Sequence, residues 1–331
     1  MAEYELSEHA RVGPALQRVL SRAGGPDLLD LLVTELSGAD LTTLLLEVFR
    51  RRADRLTPAE VMRRYRSDRF VGPARIDAAA LRRAEEVLFA ALPEGCESLV
   101  LSPLAPLATH SAVGSVDPRK VVATIRASEV AADPTNGLAL EAAHRRSAAL
   151  AADPRSSTPV RLAATQRVVR AQHFGAPGML AHFQLFGMVT AGRDTGDRAF
   201  ERRHLVEHLQ FAARVLSAAG VGHAEIRLTC LDEASIALLE HTRAALAATP
   251  GVDVLDDPER TSGRGYYTRL CYKIYATIGG ECVELADGGF VEWTQQLTGS
   301  RKERLLISGF GVDRLAAALP QSTGEKGRAD G

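Results

Sequence analysis

The stretch from Arg161 to Asp194 limits what this chain can fold into more than any other. Two β-favouring runs flank Phe174-Gly175-Ala176-Pro177-Gly178, so local preference dictates two antiparallel strands joined by a turn-rich loop. Period-2 alternation puts Arg170 and Gln172 on one face of the first strand, and Phe183, Leu185, Gly187 and Val189 on one face of the second. If those faces coincide, a guanidinium and an aromatic ring look into the same space. The fork of such a pair can bind a phosphate bidentately while the ring stacks on a base. Taken alone, the stretch reads first as an ordinary half-exposed hairpin with one solvated Arg.

A second stretch, Leu305 to Leu315, changes that balance. An apolar strand runs through Gly309 and Gly311 into a helix start, where backbone can approach a ligand and Arg314 falls on the first helical turn. A strand-loop-strand bearing one Arg, followed much later by a glycine-rich strand-to-helix bearing another, resembles motifs 2 and 3 of the class II aminoacyl-tRNA synthetases. The fold this implies is α+β, with a mixed, largely antiparallel sheet flanked by helices and an N-terminal helical segment ahead of it.

Composition narrows the function classes. A chain of 331 residues that is 46% hydrophobic and 24% charged is long enough for one large domain and an appendage. Its net charge of -1 gives no global basic field, so nucleic-acid binding would need a local patch. Cys96, Cys230, Cys271 and Cys282 form no Cys-x-x-Cys pair, against a zinc ribbon or a disulfide framework. No apolar run is long enough for a bilayer and nothing resembles a signal peptide, so a soluble cytoplasmic protein with no membrane partner is expected.

In chain order, residues 1–92 are expected to be a helical segment, 93–320 the synthetase-like domain, and 321–331 a polar, disordered tail. Asp40 is expected to cap one N-terminal helix, and Thr57-Pro58-Ala59-Glu60 spells a capping box. A helix is predicted over 77–92. Arg50-Arg51-Arg52 and Arg63-Arg64-Tyr65-Arg66 read as a solvated helix face before they read as an RNA surface. Strands are predicted at 97–102 and 121–126, a helix over 137–152, a helix over 197–219 and a strand over 265–278, the last followed by a turn at Asp287-Gly288-Gly289. His204-Leu205-Val206-Glu207-His208 spells an inverted zinc-peptidase pattern, but an apolar stripe of Leu205, Leu209, Ala212 and Leu216 makes a scaffold helix the better reading.

Within class II, the order and local text are most similar to the histidyl-tRNA synthetase catalytic domain. Asp133-Pro134-Thr135-Asn136-Gly137 lies where that family has Arg-Pro-Glu-Gly-Thr, and Gly263-Arg264-Gly265-Tyr266-Tyr267-Thr268 where it has Gly-Leu-Asp-Tyr-Tyr-Thr. The resemblance implies ATP and Mg²⁺, with Arg170 on the α-phosphate, Phe183 stacked on adenine, and Arg314 over the other face of the base and toward the γ-phosphate. Gln172 would sit beside the nucleotide, and Arg170 and Arg314 would be the catalytic cations. Thr135, Leu185, Val189, Tyr266 and Tyr267 would line the substrate pocket, at most one of the adjacent tyrosines facing it. Glu281, Glu284 and Glu292 are the candidate Mg²⁺ carboxylates.

Departures from the family are as informative. Gln172 stands where motif 2 has Glu, and Thr135, Leu185 and Val189 replace the Glu, Gln and Glu that hold histidine. Leaving buried donors of that kind unpaired costs roughly 1–3 kcal/mol each, which argues against histidine. Ser262 stands at the family's catalytic Arg, with Arg260 and Arg264 as shifted substitutes, and no anticodon-binding domain is expected after motif 3. The retained Arg170, Phe183 and Arg314 imply activation of an amino acid or related small carboxylate, which the departures set outside normal translation, and the resemblance implies a homodimer. A catalytically silent regulatory or binding subunit is the alternative, and a tRNA, a carrier protein or a partner enzyme are the candidate partners.

Overall fold

The two runs around Phe174–Gly178 pair as an antiparallel ladder, β4 (Val160–Val169) with β5 (His182–Arg193), in register from Val160 opposite Ala191 to Val169 opposite His182. The computed structural model describes residues 13–172 and 181–319, so the loop expected at 174–178 and the tail expected at 321–331 lie outside the described residues. Around this pair the described residues build an eight-stranded sheet. Its other strands are β1 (Glu97–Ser98), β6 (Ala224–Cys230), β7 (Val252–Asp256), β8 (Thr268–Ile278), β9 (Glu281–Val291) and β10 (Glu303–Gly311). The spatial order is β1-β4-β5-β10-β9-β8-β6-β7, antiparallel throughout except for the β1–β4 and β6–β7 edges. A separate two-stranded ribbon joins β2 (Leu104–Pro106) to β3 (Ser128–Val130). The fold is thus the α+β, mostly antiparallel one expected.

Residues divide into two compact units. The smaller comprises the described residues up to Arg64 together with Thr124–Ala127, and holds α1 (Pro14–Ala23), α2 (Pro26–Asp30), α3 (Gly38–Ala53) and most of α4 (Pro58–Ser67). None of these helices has a buried residue. The cap of α3 is Ser37, whose Oγ accepts from the Asp40 N–H, so Asp40 belongs to the first turn instead of preceding it. The capping box at α4 is present: Thr57 N–H donates to Glu60 Oε2 at 2.8 Å, and Glu60 N–H to Thr57 Oγ1 at 3.3 Å.

The larger unit covers 65–123 and 128–319 of the described residues. Its helices are α5 (Ala78–Ala90), α6 (Pro134–Ala152), α7 (Ala199–Ala218), α8 (Ile236–Leu246), α9 (Trp293–Thr298) and α10 (Val312–Ala318). They cover two faces of the sheet. On one, α5, α7, α8 and α10 bury Leu88, Leu205, Leu209, Phe211 and Leu315 against Phe186, Tyr272, Phe290 and Phe310. On the other, α6 and α9 bury Leu138, Ala142 and Trp293 against Leu162, Val189 and Ile307. A fully buried ion pair fastens α6 to β10: Arg146 Nε and Nη2 donate to the two Glu303 oxygens at 2.7 and 2.9 Å, and its remaining N–H groups take the Thr158 and Ser156 carbonyls.

Three local expectations fail. The run 121–126 is not a strand. A turn at Thr124–Ala127, with Ala127 at φ 52° and Arg126 N–H bonded to Thr124 Oγ1, moves the pairing to β3. The run 97–102 is a strand only over Glu97–Ser98. Asp287-Gly288-Gly289 is no turn but the middle of β9, and Gly279-Gly280 makes the reversal instead. The two glycines serve close packing, since a Cβ on Gly288 would fall 2.4 Å from Tyr272 Oη and one on Gly289 would fall 2.7 Å from the Tyr267 ring.

His204 and His208 are scaffold residues in α7. His208 bonds Thr190 Oγ1 through Nε2 at 2.9 Å and Ser308 Oγ through Nδ1 at 2.6 Å, and Ser308 Oγ also bonds Tyr272 Oη. Burial drives the His208 pKa down to about 3, so it stays neutral inside this chain of hydroxyls. No described helix is long and apolar enough to cross a membrane.

Candidate functional site

Where β5, β9 and β10 meet the start of α6 and the start of α10, the larger unit encloses a cavity of about 1210 Å³. It is lined by most of the residues singled out in the sequence: Thr135, Arg170, Gln172, Phe183, Leu185, Tyr266, Tyr267 and Arg314. Val189 is the exception, fully buried in the core beneath α6 and not among the lining residues. Alternation does put it on the same side as Leu185, but Pro134 and Leu138 of α6 pack on Gly187 between them and close the sheet off.

Arg170 lies one residue beyond the last residue of β4, its N–H still bonded to the Ala181 carbonyl. Its guanidinium is held by the start of α6, with Nε donating to the Ala132 carbonyl at 3.0 Å and Nη2 to Asp133 Oδ2 at 3.2 Å. It lies 5.1 Å from the Phe183 ring centroid, the joint placement of cation and ring inferred from the two strand faces. Asp133, the first residue of the Asp133–Gly137 run set against the family's Arg-Pro-Glu-Gly-Thr, is the N-cap of α6, which begins at Pro134. Its Oδ1 accepts from Thr135 N–H at 2.9 Å and from Thr135 Oγ1 at 2.7 Å.

Behind that cap is a buried brace. His110 Nε2 accepts from Ala132 N–H at 2.9 Å, which leaves the proton on Nδ1 to be donated to Glu129 Oε1 at 2.6 Å. Glu129 also accepts the N–H groups of Ala108 and His110. Ala132, whose carbonyl orients Arg170, is thus held through its N–H as well.

Arg314 projects from the first turn of α10. A Cβ on Gly311 would come within 3.3 Å of Arg314 Cδ, so the missing side chain lets the arginine stem lie back over the strand end. Its Nη1 donates to the Glu284 carbonyl at 2.6 Å, and the guanidinium stays about half exposed. Next to it, burial raises the Asp313 pKa, opposed by Arg167 and by the N–H of Gln184.

The other end of the cavity is aromatic. Tyr266 lies 4.2 Å from Tyr267 and, nearly parallel, 6.2 Å from Trp293, and all three line the cavity. Both tyrosines face it because they precede β8 in a turn, where strand alternation does not apply. Asp287 lines the same end, and Arg260 Nη2 donates to its two oxygens at 2.9 and 3.1 Å. Burial pushes the Asp287 carboxyl above its ordinary value while Arg260 pulls it back, and burial raises both tyrosine hydroxyls. Neither Arg260 nor Arg264 lines the cavity. Arg260 is buried behind it, bonded to the Ser262 and Tyr272 carbonyls, and Arg264 bonds the Arg260 and Pro258 carbonyls.

Of the three carboxylates considered for Mg²⁺, Glu284 lines the cavity, and its Oε2 is held by Lys273 Nζ at 2.6 Å. Glu281 and Glu292 are exposed and do not line it. Among the described residues no three His, Cys, Asp or Glu side chains gather as a metal site. The residues present therefore do not form a metal site made of protein ligands alone.

No protein-family model matches this sequence, and no curated protein matches it. Solved structures do. Apo histidyl-tRNA synthetase from S. aureus is 15% identical with a TM-score of 0.53, the match covering 72% of this chain and 64% of that one, so this chain spans under two thirds of its length. An ATP phosphoribosyltransferase regulatory subunit/histidyl-tRNA synthetase from Bacillus halodurans is 14% identical with a TM-score of 0.54, covering 75% of this chain and 82% of that one. A histidine–tRNA ligase subunit from Alicyclobacillus acidocaldarius is 17% identical with a TM-score of 0.54, covering 75% and 96%. Identities this low carry fold and not activity, and what they carry is a class II aminoacyl-tRNA synthetase-like fold, similar to that of the histidyl-tRNA synthetases.

Proposed function

We propose that the cavity binds ATP and activates an amino acid or related small carboxylate by adenylation, outside normal translation. The observation that supports this reading is convergence. Arg170 over Phe183, Arg314, and the aromatic and carboxylate side chains of Tyr266, Tyr267, Trp293 and Asp287 all line one space. In the reaction the acid's carboxylate oxygen forms a bond to the α-phosphorus, the α–β phosphoanhydride bond breaks, and pyrophosphate leaves with its electron pair. The negative charge that builds there is what a pre-positioned guanidinium neutralises. This chain's own share in that step falls to Arg170, Arg314 and the Phe183 ring, and Mg²⁺ bound with the nucleotide would be held by its phosphates together with at most one or two carboxylates such as Glu284. The acceptor of the activated acid, whether a tRNA or a carrier protein, and a homodimeric, cytoplasmic state belong to the same proposal.

Calorimetric titration with ATP and Mg²⁺ tests it. Micromolar to submillimolar binding, abolished in Arg314→Ala, followed by acid-dependent pyrophosphate exchange, is the expected result. A folded protein that binds no ATP overturns it.

A second reading has its own support. Arg170 is already tied to Asp133 and Ala132, Arg314 to the Glu284 carbonyl, and Gln172 brings no carboxylate. A regulatory or binding subunit, as the name of the Bacillus halodurans protein describes, needs no free cations. Co-purification with a partner enzyme whose rate it changes, without ATP binding, is the outcome that selects this reading.

A further inference from the structure

The β4–β5 ladder ends one residue short of Arg170. β4 stops at Val169, opposite His182, and the Arg170 N–H on the Ala181 carbonyl is the last bond across the pair among the described residues. The next two carbonyls, those of Ala171 and Gln172, need partners from elsewhere. One side chain takes both. Arg69, in the connection between α4 and α5, donates Nη1 to the Gln172 carbonyl at 3.0 Å and Nη2 to the Ala171 carbonyl. A planar fork on two successive carbonyls fixes the direction of the chain as well as its position, which a single donor does not.

Three residues on, the same connection meets β5. The Gly72 carbonyl accepts from His182 Nε2 at 2.6 Å, and Nδ1 of that ring accepts from Arg167 Nε at 2.8 Å, which puts the ring proton on Nε2. His182 is the neighbour of Phe183. Residues 69–72 thus hold both strands at the end where Arg170 and Phe183 line the cavity, one through two carbonyls and the other through an imidazole. Arg69 itself does not line the cavity.

We propose that Arg69 is a positioning residue for the nucleotide end of the cavity, acting through Arg170. The bonds of Arg170 to the Ala132 carbonyl and to Asp133 aim its fork. Arg69 fixes the backbone from which that fork extends. A guanidinium displaced from a phosphate by a fraction of its bond length forfeits much of the contact. The inference rests on reading the cavity as an ATP site, and it adds a residue from outside the two strands.

The test is calorimetric titration with ATP and Mg²⁺ of the full chain as wild type, Arg69→Ala, Arg170→Ala and the double variant. Arg69→Ala should weaken ATP by about tenfold, the lower end of what one hydrogen bond to a charged group contributes. With Arg170 already absent it should weaken ATP no further, because its effect passes through that side chain. Arg69→Lys, one ammonium for two carbonyls, should fall between wild type and Arg69→Ala. If Arg69→Ala does not fold, Arg69→Gln carries the same cycle. ATP bound as tightly by Arg69→Ala as by wild type overturns the inference. Costs that simply add in the double variant also overturn it, since they mark a general loosening and not an effect on Arg170. A wild-type protein that binds no ATP overturns the activation reading and this inference with it, whereas wild-type binding with an absent or additive effect of Arg69→Ala overturns this inference alone.

Discussion

The Arg170 guanidinium pairs with the Asp133 carboxylate at 3.2 Å while it stands 5.1 Å from the Phe183 ring centroid. Pairing with Asp133 fixes the fork's direction but leaves about a third of the side chain exposed to the cavity. Arg170→Ala is expected to lower acid-dependent pyrophosphate exchange by about 100-fold, the effect of losing one pre-positioned donor at developing charge. Arg170→Lys is expected to recover little of it, because an ammonium cannot hold Asp133, the Ala132 carbonyl and a phosphate with one planar fork. Exchange unchanged in a folded Arg170→Ala protein removes Arg170 from the mechanism.

Gly288 is required by volume. A Cβ there would meet Tyr272 Oη at 2.4 Å and the Ile307 carbonyl at 2.6 Å, and the second is backbone that cannot swing away. Gly288→Ala is expected to destabilise the protein by about 1–3 kcal/mol, as overpacking of a filled interior does. Denaturant unfolding measures this, and a loss within error of zero contradicts the packing described.

Stability should fall on acidification through His208. Its folded pKa of about 3 lies below the ordinary 6.5, so the unfolded chain takes up a proton that the folded one refuses. The stabilisation is fully present above pH 6.5 and is lost progressively toward pH 3, with a limiting slope of about 1.4 kcal/mol per pH unit from this one group. His208→Gln should be less stable at neutral pH and should flatten that part of the profile. An unaltered slope between pH 6.5 and 4, within about 0.3 kcal/mol per unit, counts against His208 as its source.

The Arg146–Glu303 pair is fully buried, so breaking it on one side strands a charge. Glu303→Gln is expected to cost about 3–5 kcal/mol, whereas Arg146→Met with Glu303→Leu together should cost much less. Thermal unfolding of the single and double variants checks the sign of that difference.

What was legible in the sequence was whatever local preference and tertiary packing agreed on. The β4–β5 ladder follows from β-favouring runs on either side of a segment of glycine and proline composition, and the Arg170–Phe183 juxtaposition follows from the ladder. Where a short signal had two uses, tertiary packing chose the other one. Asp287-Gly288-Gly289 has turn composition, but its glycines make room for Tyr272 and Tyr267 across a strand. The strand expected at 121–126 yields to the turn at Ala127. Asp133, Asn136, Asp287 and Trp293 gave no sign of sharing one cavity, because their proximity is created by strand order and not by spacing along the chain. Of these, Asp133 alone carried a local signal, an acidic residue immediately before Pro at a helix start.

The strand order also has a consequence in time. β5 finds its second neighbour in β10, from which α7 through α9 separate it along the chain. Pairings this distant in sequence make for slow, late steps in folding. While they are pending, β5 presents an unpaired edge, and neither Arg314 nor Ile307 stands opposite the residues with which it will enclose the cavity. Ligand competence should therefore be the last property acquired during refolding, appearing with the slowest phase and not with the earlier gain of helix.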